Sequence, residues 1–375
     1  MSGESRGRRT VERAADRLLR ATVFERVLIG LASTLLARLI GSVVVAASGY
    51  DPVEFVVSLV FGAVGTRSNV AFTLRQSTML ILAGVAVAVA FRAGVFNIGV
   101  QGQFVVGGFA TAVTILGLAP HLPDGAIGGV VLLLSGGVAG ILGGGAYAAL
   151  PGLMKAYADA NEVITTIMLN FVASGVVFFV VDGFLRPEGA AAPNTERFPD
   201  YVDLPELVFG SPSFSVLGLG IAFATVVVVA AVMARTRFGY DLVTSGQQAA
   251  AATYSGVDAR RTVVATMTLS GMVAGLTGAL FVVMILGYYS DPNTYPTFGF
   301  DAIAVSLLAA NNPLGVVPAG LLFGGLDAGQ QYIGFTLDIP PELVDGVIGL
   351  VVLFVAAPEL FRMAGTRLGL GEEKR

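Results

Sequence analysis

The chain has no cysteine and no tryptophan, one histidine (His121) and two lysines (Lys155 and Lys374). Without cysteine there are no disulfides, no thiolate nucleophile and no cysteine-ligated zinc or iron–sulfur cluster. His121 falls in a short polar turn from Pro120 to Asp124, where a solvated imidazole is expected, so a histidine-based metal site or proton relay is excluded. A phosphate-cradling G-x4-G-K-[ST] loop is excluded as well, because Lys155 follows Met154 and Lys374 follows Glu373. Charge is scarce, at 13% of the 375 residues, against roughly 25% in soluble domains.

What is abundant is apolar surface. Apolar residues make up 55% of the chain and the mean hydropathy is +0.79. Runs of about 20 apolar residues recur between short polar stretches, the length a hydrocarbon core of roughly 30 Å demands of a helix. Glycine, 49 residues in all, is concentrated inside these runs, where it lets helices in lipid approach closely. The composition predicts an all-α membrane protein of about ten transmembrane helices, with eight as the lower bound.

The expected spans begin at Val27–Gly49, interrupted by Arg38, and continue as runs over 72–91, 94–118, 126–150, 163–185, 215–234, 262–286, 300–312, 314–336 and 343–361. Two runs, Gln76–Phe91 and Phe300–Ala310, are short and end at helix breakers, so both are expected to be discontinuous or re-entrant. The domain reading is an amphipathic N-tail over 1–26, a polytopic membrane domain over 27–361 containing a long inner loop at 235–262, and a C-tail over 362–375. Ten spans put both termini on one side, and 17 of the 22 basic residues then fall inside, which makes that side cytoplasmic. The outer loop Pro187–Phe214 leaves five spans on either side, the plan of two inverted halves.

Four features stand out along the chain. Gly136-x3-Gly140-x3-Gly144, Gly271-x3-Gly275 and Gly320-x3-Gly324 line up on single helix faces and predict close packing. Gly94–Gln103 carries three amides, Asn97, Gln101 and Gln103, in an otherwise apolar helix, with Asn97 and Gln101 four apart on one face. Uncharged amides suit a path for a polar solute and equally suit hydrogen bonds between helices. The carboxylates Glu162, Asp182, Asp301, Asp327 and Asp345 lie in or beside spans, most near span ends, where capping is expected rather than a proton path. The alanine-rich stretch Gly246–Gly256 predicts a short exposed helix that ends at the glycine and invites a partner.

Gly94-Val-Phe-Asn-Ile-Gly-Val-Gln-Gly-Gln103 resembles a motif of the membrane permeases of ABC importers for simple sugars and nucleosides, the branched-chain-type permease family, with Gln101 in place of its glutamate. Asn161–Asn170, Gly299–Leu308 and Asn311-Asn-Pro-Leu-Gly315 look like the nucleoside branch in particular. The inner loop resembles the family's ATPase-coupling segment, related to Glu-Ala-Ala-x3-Gly: Ala251, Ala252 and Gly256 fit, while Ala250 replaces the glutamate. The resemblance covers nearly the whole chain from about residue 27.

It implies a translocation subunit in the cell membrane that is not an enzyme and binds no cofactor itself, ATP being bound by separate ATPase subunits. The implied partners are a second permease chain, those ATPase subunits, an extracytoplasmic substrate-binding protein and membrane lipid, with no nucleic acid. The candidate path residues are then Asn97, Gln101, Gln103 and Asn170, and the candidate coupling residues Gly246, Ala251, Ala252 and Gly256. The alternatives are a simple-sugar importer permease and an ion-coupled secondary transporter.

Overall fold

The computed structural model describes residues 39–205, 208, 214–247, 252, 254, 256–337, 339–340, 342–350 and 353. The expected N-tail, most of the first span including Arg38, the candidate Ala251 and the C-tail lie outside the described residues.

All regular structure in the described chain is helical, with no strand among the described residues. In order the helices are α1 (Leu39–Ala47), α2 (Pro52–Val64), α3 (Arg67–Arg92), α4 (Val100–Leu118), α5 (Ala126–Ala158), α6 (Glu162–Val180), α7 (Val216–Arg235), α8 (Arg237–Gln247), α9 (Ala259–Phe281), α10 (Phe298–Leu308), α11 (Val316–Thr336) and α12 (342–350). α6 and α9 each run on into a five-residue π-turn, at Val181–Leu185 and Val282–Leu286.

Six described helices are long and apolar enough to cross a membrane: α3, α4, α5, α6, α7 and α9. A seventh span is reached if α1 and α2, which meet at 116°, count as one broken crossing. The expected number of about ten is therefore not reached among the described residues. α10, at 11 residues, is short as expected.

Gln76–Phe91 is not a short segment. It is the second half of the 26-residue α3, whose start is set by the Thr66 hydroxyl accepting from the Asn69 N–H at 3.1 Å. The cap extends the helix back through the polar Arg67, Ser68 and Asn69 and past Arg75 and Gln76.

The chain divides into two compact units. The smaller comprises the residues up to Gly62 and those from Ala328 onward, and its apolar core is formed by Val45, Phe55, Ile333, Ile339, Val344 and Val347. The larger, Ala63–Asp327, holds α3 to α10.

Inside the larger unit the expected glycine faces meet one another. A methyl group on Gly144, Gly271 or Gly275 would collide with the backbone of the facing helix, so α5 and α9 touch main chain to main chain. Gly107 and Gly108 bring α4 onto the same stretch of α9, against Gly275 and Gly278. Gly320 and Gly324 of α11 lie on Ile81 and Ser77 of α3. These contacts remove the space a side chain would need, which is how helices in lipid gain van der Waals contact without a hydrophobic driving force.

Candidate functional site: a buried amide cluster and the loop end beside it

α3 stops at a glycine. Gly94 has φ +69°, its N–H donates to the Phe91 carbonyl at 3.0 Å, and the Val95 N–H donates to the Ala90 carbonyl at 3.0 Å. This is the paired Schellman closure of a helix C-terminus. Residues 93–99 are not helical and α4 begins at Val100. The sequence expectation of one helix with Asn97 and Gln101 on a shared face is thereby corrected: the break falls between them, and Asn97 precedes the helix.

Asn97 is 0% exposed and its amide is fully used. Its Oδ1 accepts from the Gly99 N–H at 3.0 Å and from Gln103 Nε2 at 2.9 Å; its Nδ2 donates to Gln103 Oε1 at 2.9 Å and to Ser270 Oγ at 2.8 Å. Two donors and two acceptor positions are all that an amide offers. Ser270, on α9, in turn donates to the Ala86 carbonyl of α3 at 2.6 Å. Gln103, 1% exposed, therefore forms a reciprocal amide pair with Asn97.

Gln101 and Asn170 do the same for the helix starts. Gln101 Oε1 accepts from the Gly299 N–H at 2.8 Å, near the start of α10, and its Nε2 donates to the Pro296 carbonyl at 3.0 Å. Asn170 Oδ1, from α6, accepts from the Gly102 N–H at 2.8 Å and its Nδ2 donates to the Ile98 carbonyl at 3.0 Å. N–H groups in the first turn of a helix have no partner within it, and non-helical backbone at membrane depth is tolerated only where such groups are satisfied. Asn97, Asn170 and Gln101 meet that requirement for α4 and α10, and Gln103 holds the Asn97 amide in place. All four candidate path residues thus come together in one buried cluster, Gln101 and Asn170 being 8% and 5% exposed.

Beside the cluster, Phe104, Phe281, Tyr295 and Phe298 pack as an aromatic group, with Phe281 and Tyr295 ring centroids 5.0 Å apart. Tyr289, fully buried, donates its hydroxyl to the Val105 carbonyl at 3.1 Å, and burial together with Tyr295 pushes that hydroxyl well above the ordinary phenol range. The segment 195–198 is pinned beside it: Thr195 N–H donates to the Tyr289 carbonyl at 2.9 Å and Phe198 N–H to the Gly287 carbonyl at 2.8 Å. A cavity of about 300 Å³ opens between Arg197–Asp203 and the π-turn after α9.

The candidate coupling residues fall in two places. Gly246 belongs to α8 rather than to a helix running from 246 to 256, so that expectation is corrected. Gly256, at φ +84°, with the Val257 N–H donating to the Ala252 carbonyl at 3.0 Å, closes a helical turn in the way the sequence suggested. Ala252 is buried and Tyr254 is almost fully exposed.

The carboxylates have local partners. Glu162 bonds Lys155 at 2.7 Å, Asp182 bonds Arg186 at 2.8 Å, Thr297 donates to Asp301 at 3.1 Å, Gln76 donates to Asp327 at 3.5 Å, and Gln330 donates to Asp345. Among the described residues no group of three or more carboxylate or imidazole side chains comes together to hold a metal. Sequence reasoning missed Ser270 and the backbone groups of Pro296 and Gly299; a serine one residue before the Gly271-x3-Gly275 face was the available signal for the first.

A helical bundle with several membrane-crossing helices, broken segments closed inside it, and an interior of neutral amides defines a multi-pass membrane protein of the transport kind. The family described as branched-chain amino acid transport system, permease component, matches residues 69–356, and the chain belongs to that family. It is similar to the guanosine ABC transporter permease protein NupP of Bacillus subtilis, 32% identical over 91% of this chain and 96% of that protein. The nucleoside ABC transporter permease protein NupB of Lactococcus lactis is 29% identical, with 88% and 91% covered. A glucose ABC transporter permease protein of Haloferax volcanii is 31% identical, with 91% and 90% covered.

Proposed function

We propose that the chain is the translocation subunit of an ATP-driven ABC importer for nucleosides. The observation that carries this is end-to-end similarity to permease proteins named for guanosine and nucleosides, 32% and 29% identical. The neutral amide cluster supports it: its four side chains, with Asn97 fully bonded, include no ionisable group to couple an ion. The glucose permease of Haloferax volcanii, 31% identical, favours a sugar importer as the second reading.

On this reading Asn97, Gln101, Gln103 and Asn170 serve the path by holding α4 and α10 at its wall. The loop 235–262 faces the ATPase subunits, with Gly246, Ala251, Ala252 and Gly256 as its candidate coupling residues. A second permease chain completes the path and an extracytoplasmic binding protein delivers the nucleoside. ATP binding drives transport only through a differential affinity of the ATPase pair for two orientations of the bundle.

A topology of about ten spans with both termini cytoplasmic, and two inverted halves, belongs to the same proposal. Its supports are the inner location of 17 of the 22 basic residues and the contribution of one helix start from each half, α4 and α10, to a single cluster.

The test is uptake of labelled guanosine into vesicles holding the chain with its ATPase subunits and binding protein. Uptake that requires ATP and is competed by adenosine but not by glucose is the expected result. Competition by glucose alone selects the sugar reading, and uptake abolished by an ionophore at constant ATP overturns both. The natural absence of cysteine allows the topology to be read directly: Ser5→Cys is expected to react with an impermeant thiol reagent only from the cytoplasmic side.

A further inference from the structure

The amide cluster is not isolated from the loop 235–262. Where α8 ends, the Gly246 backbone lies directly on Ala93 and Gly94, the residues that close α3. A methyl group placed on Gly94 would sit 2.8 Å from the Gly246 carbonyl oxygen and 3.0 Å from its Cα. A methyl on Gly246 would meet the carbonyl and nitrogen atoms of 93 and 94 at closer than van der Waals range. Two main chains therefore touch with no side chain between them to absorb a displacement, in an interior that transmits strain.

Three residues beyond Gly94 stands Asn97, bonded to Gly99, Gln103 and Ser270. Gln101, at the start of α4, holds Gly299 and Pro296. The path from the loop end to the start of α10 is thus Gly246, the 93–99 break, α4 and Gln101. Two buried hydroxyls have no hydrogen-bond partner among the described residues: Ser245 Oγ, beside Gly246, and Thr266 Oγ1, one turn before Ser270 on α9. Buried polar atoms are rarely left so.

We propose that the Gly246–Gly94 backbone contact passes movement of the loop 235–262 to the interior, with Gly94, Asn97 and Gln103 as positioning residues for translocation. The inference rests on the ABC-permease reading and adds the route by which the ATPase subunits act on the path.

The experiment uses the whole transporter in proteoliposomes and reads ATP hydrolysed per nucleoside imported. Gly94→Asn is the first variant, because asparagine tolerates the left-handed backbone while its Cβ meets Gly246. The expected result is a rise in that ratio of about tenfold, within the usual range of coupling between sites, with the ATPase subunits still copurifying. A ratio equal to wild type, including parallel loss of hydrolysis and uptake, overturns the proposal.

If Gly94→Asn is not recovered from membranes, Gln103→Met serves. It keeps the length and loses both the donor and the acceptor to Asn97, and an unchanged ratio there is equally decisive against the proposal. Gly137→Ala, which adds a methyl in open space, should keep the wild-type ratio, and a similar rise there would show that the effect is not specific to this contact. A wild-type complex with no ATP-dependent uptake sinks the ABC reading itself, which is a different failure.

Discussion

The α5–α9 interface and the junction of α3, α4 and α10 are both buried in the same unit, yet they are held by opposite means. At the centre of the α5–α9 interface the contact is one of shape, glycine backbones in register over Gly140, Gly144, Gly271 and Gly275. At the junction the contact is a set of directional bonds from Asn97, Gln101 and Asn170 to interrupted backbone, with Gln103 paired to Asn97. Dry packing of this kind has one good arrangement, since any offset forfeits contact or forces overlap. A capped break has alternatives, because hydrogen bonds can be exchanged for others of equal strength and the chain at 93–99 is not committed to a helix. The difference teaches which part of the bundle is frame and which part can move.

The comparison is broken most severely from the packed side. Gly275→Leu should leave no folded protein in detergent extracts, since its side chain would have to enter the backbone of α5, and Gly275→Ala should lower stability by about 1–3 kcal/mol, read as a drop in Tm. On the bonded side, Asn97→Leu strands Gly99, Gln103 and Ser270, at about 1–3 kcal/mol for each group left unsatisfied. It should abolish uptake and lower Tm together, whereas Asn97→Asp, which keeps the acceptor for Gly99, should do less of both. Asn170→Ala removes one helix-start cap, worth about 1 kcal/mol, and should reduce Tm by a few degrees with uptake partly kept. Gly220→Ala meets nothing within 4 Å and should be neutral, or stabilising by up to about 1 kcal/mol from helix propensity; a loss of stability there would blur the contrast.

How far each region was visible in the sequence follows from the same contrast. Spacing of four along one helix is local, so the Gly136 and Gly271 faces could be read directly as packing surfaces, while which faces meet could not. The short α10 was readable because Asn311-Asn312-Pro313 breaks the apolar run, and the Gly256 closure because a lone glycine ends an alanine-rich stretch. The amides could be picked out but not assigned. Asn97 and Gln101 are four apart, which implies a shared face only if the helix continues, and Gly94 with Gly99 interrupts it.

Their partners Ser270 on α9 and Gly299 on α10, and Asn170 of α6 on the backbone between them, are separated by tens to hundreds of residues and leave no local trace. α2 was missed for a similar reason. Thirteen residues at 116° to α1 are too few to register as a span by hydropathy.

Hydrogen–deuterium exchange on the assembled transporter, with and without bound ATP, tests the division into frame and moving junction most directly. The account predicts that protection changes at residues 93–103 and 296–299 while the facing turns of α5 and α9 around Gly144 and Gly275 keep theirs. Equal changes in both regions, or change confined to the α5–α9 interface, would contradict it.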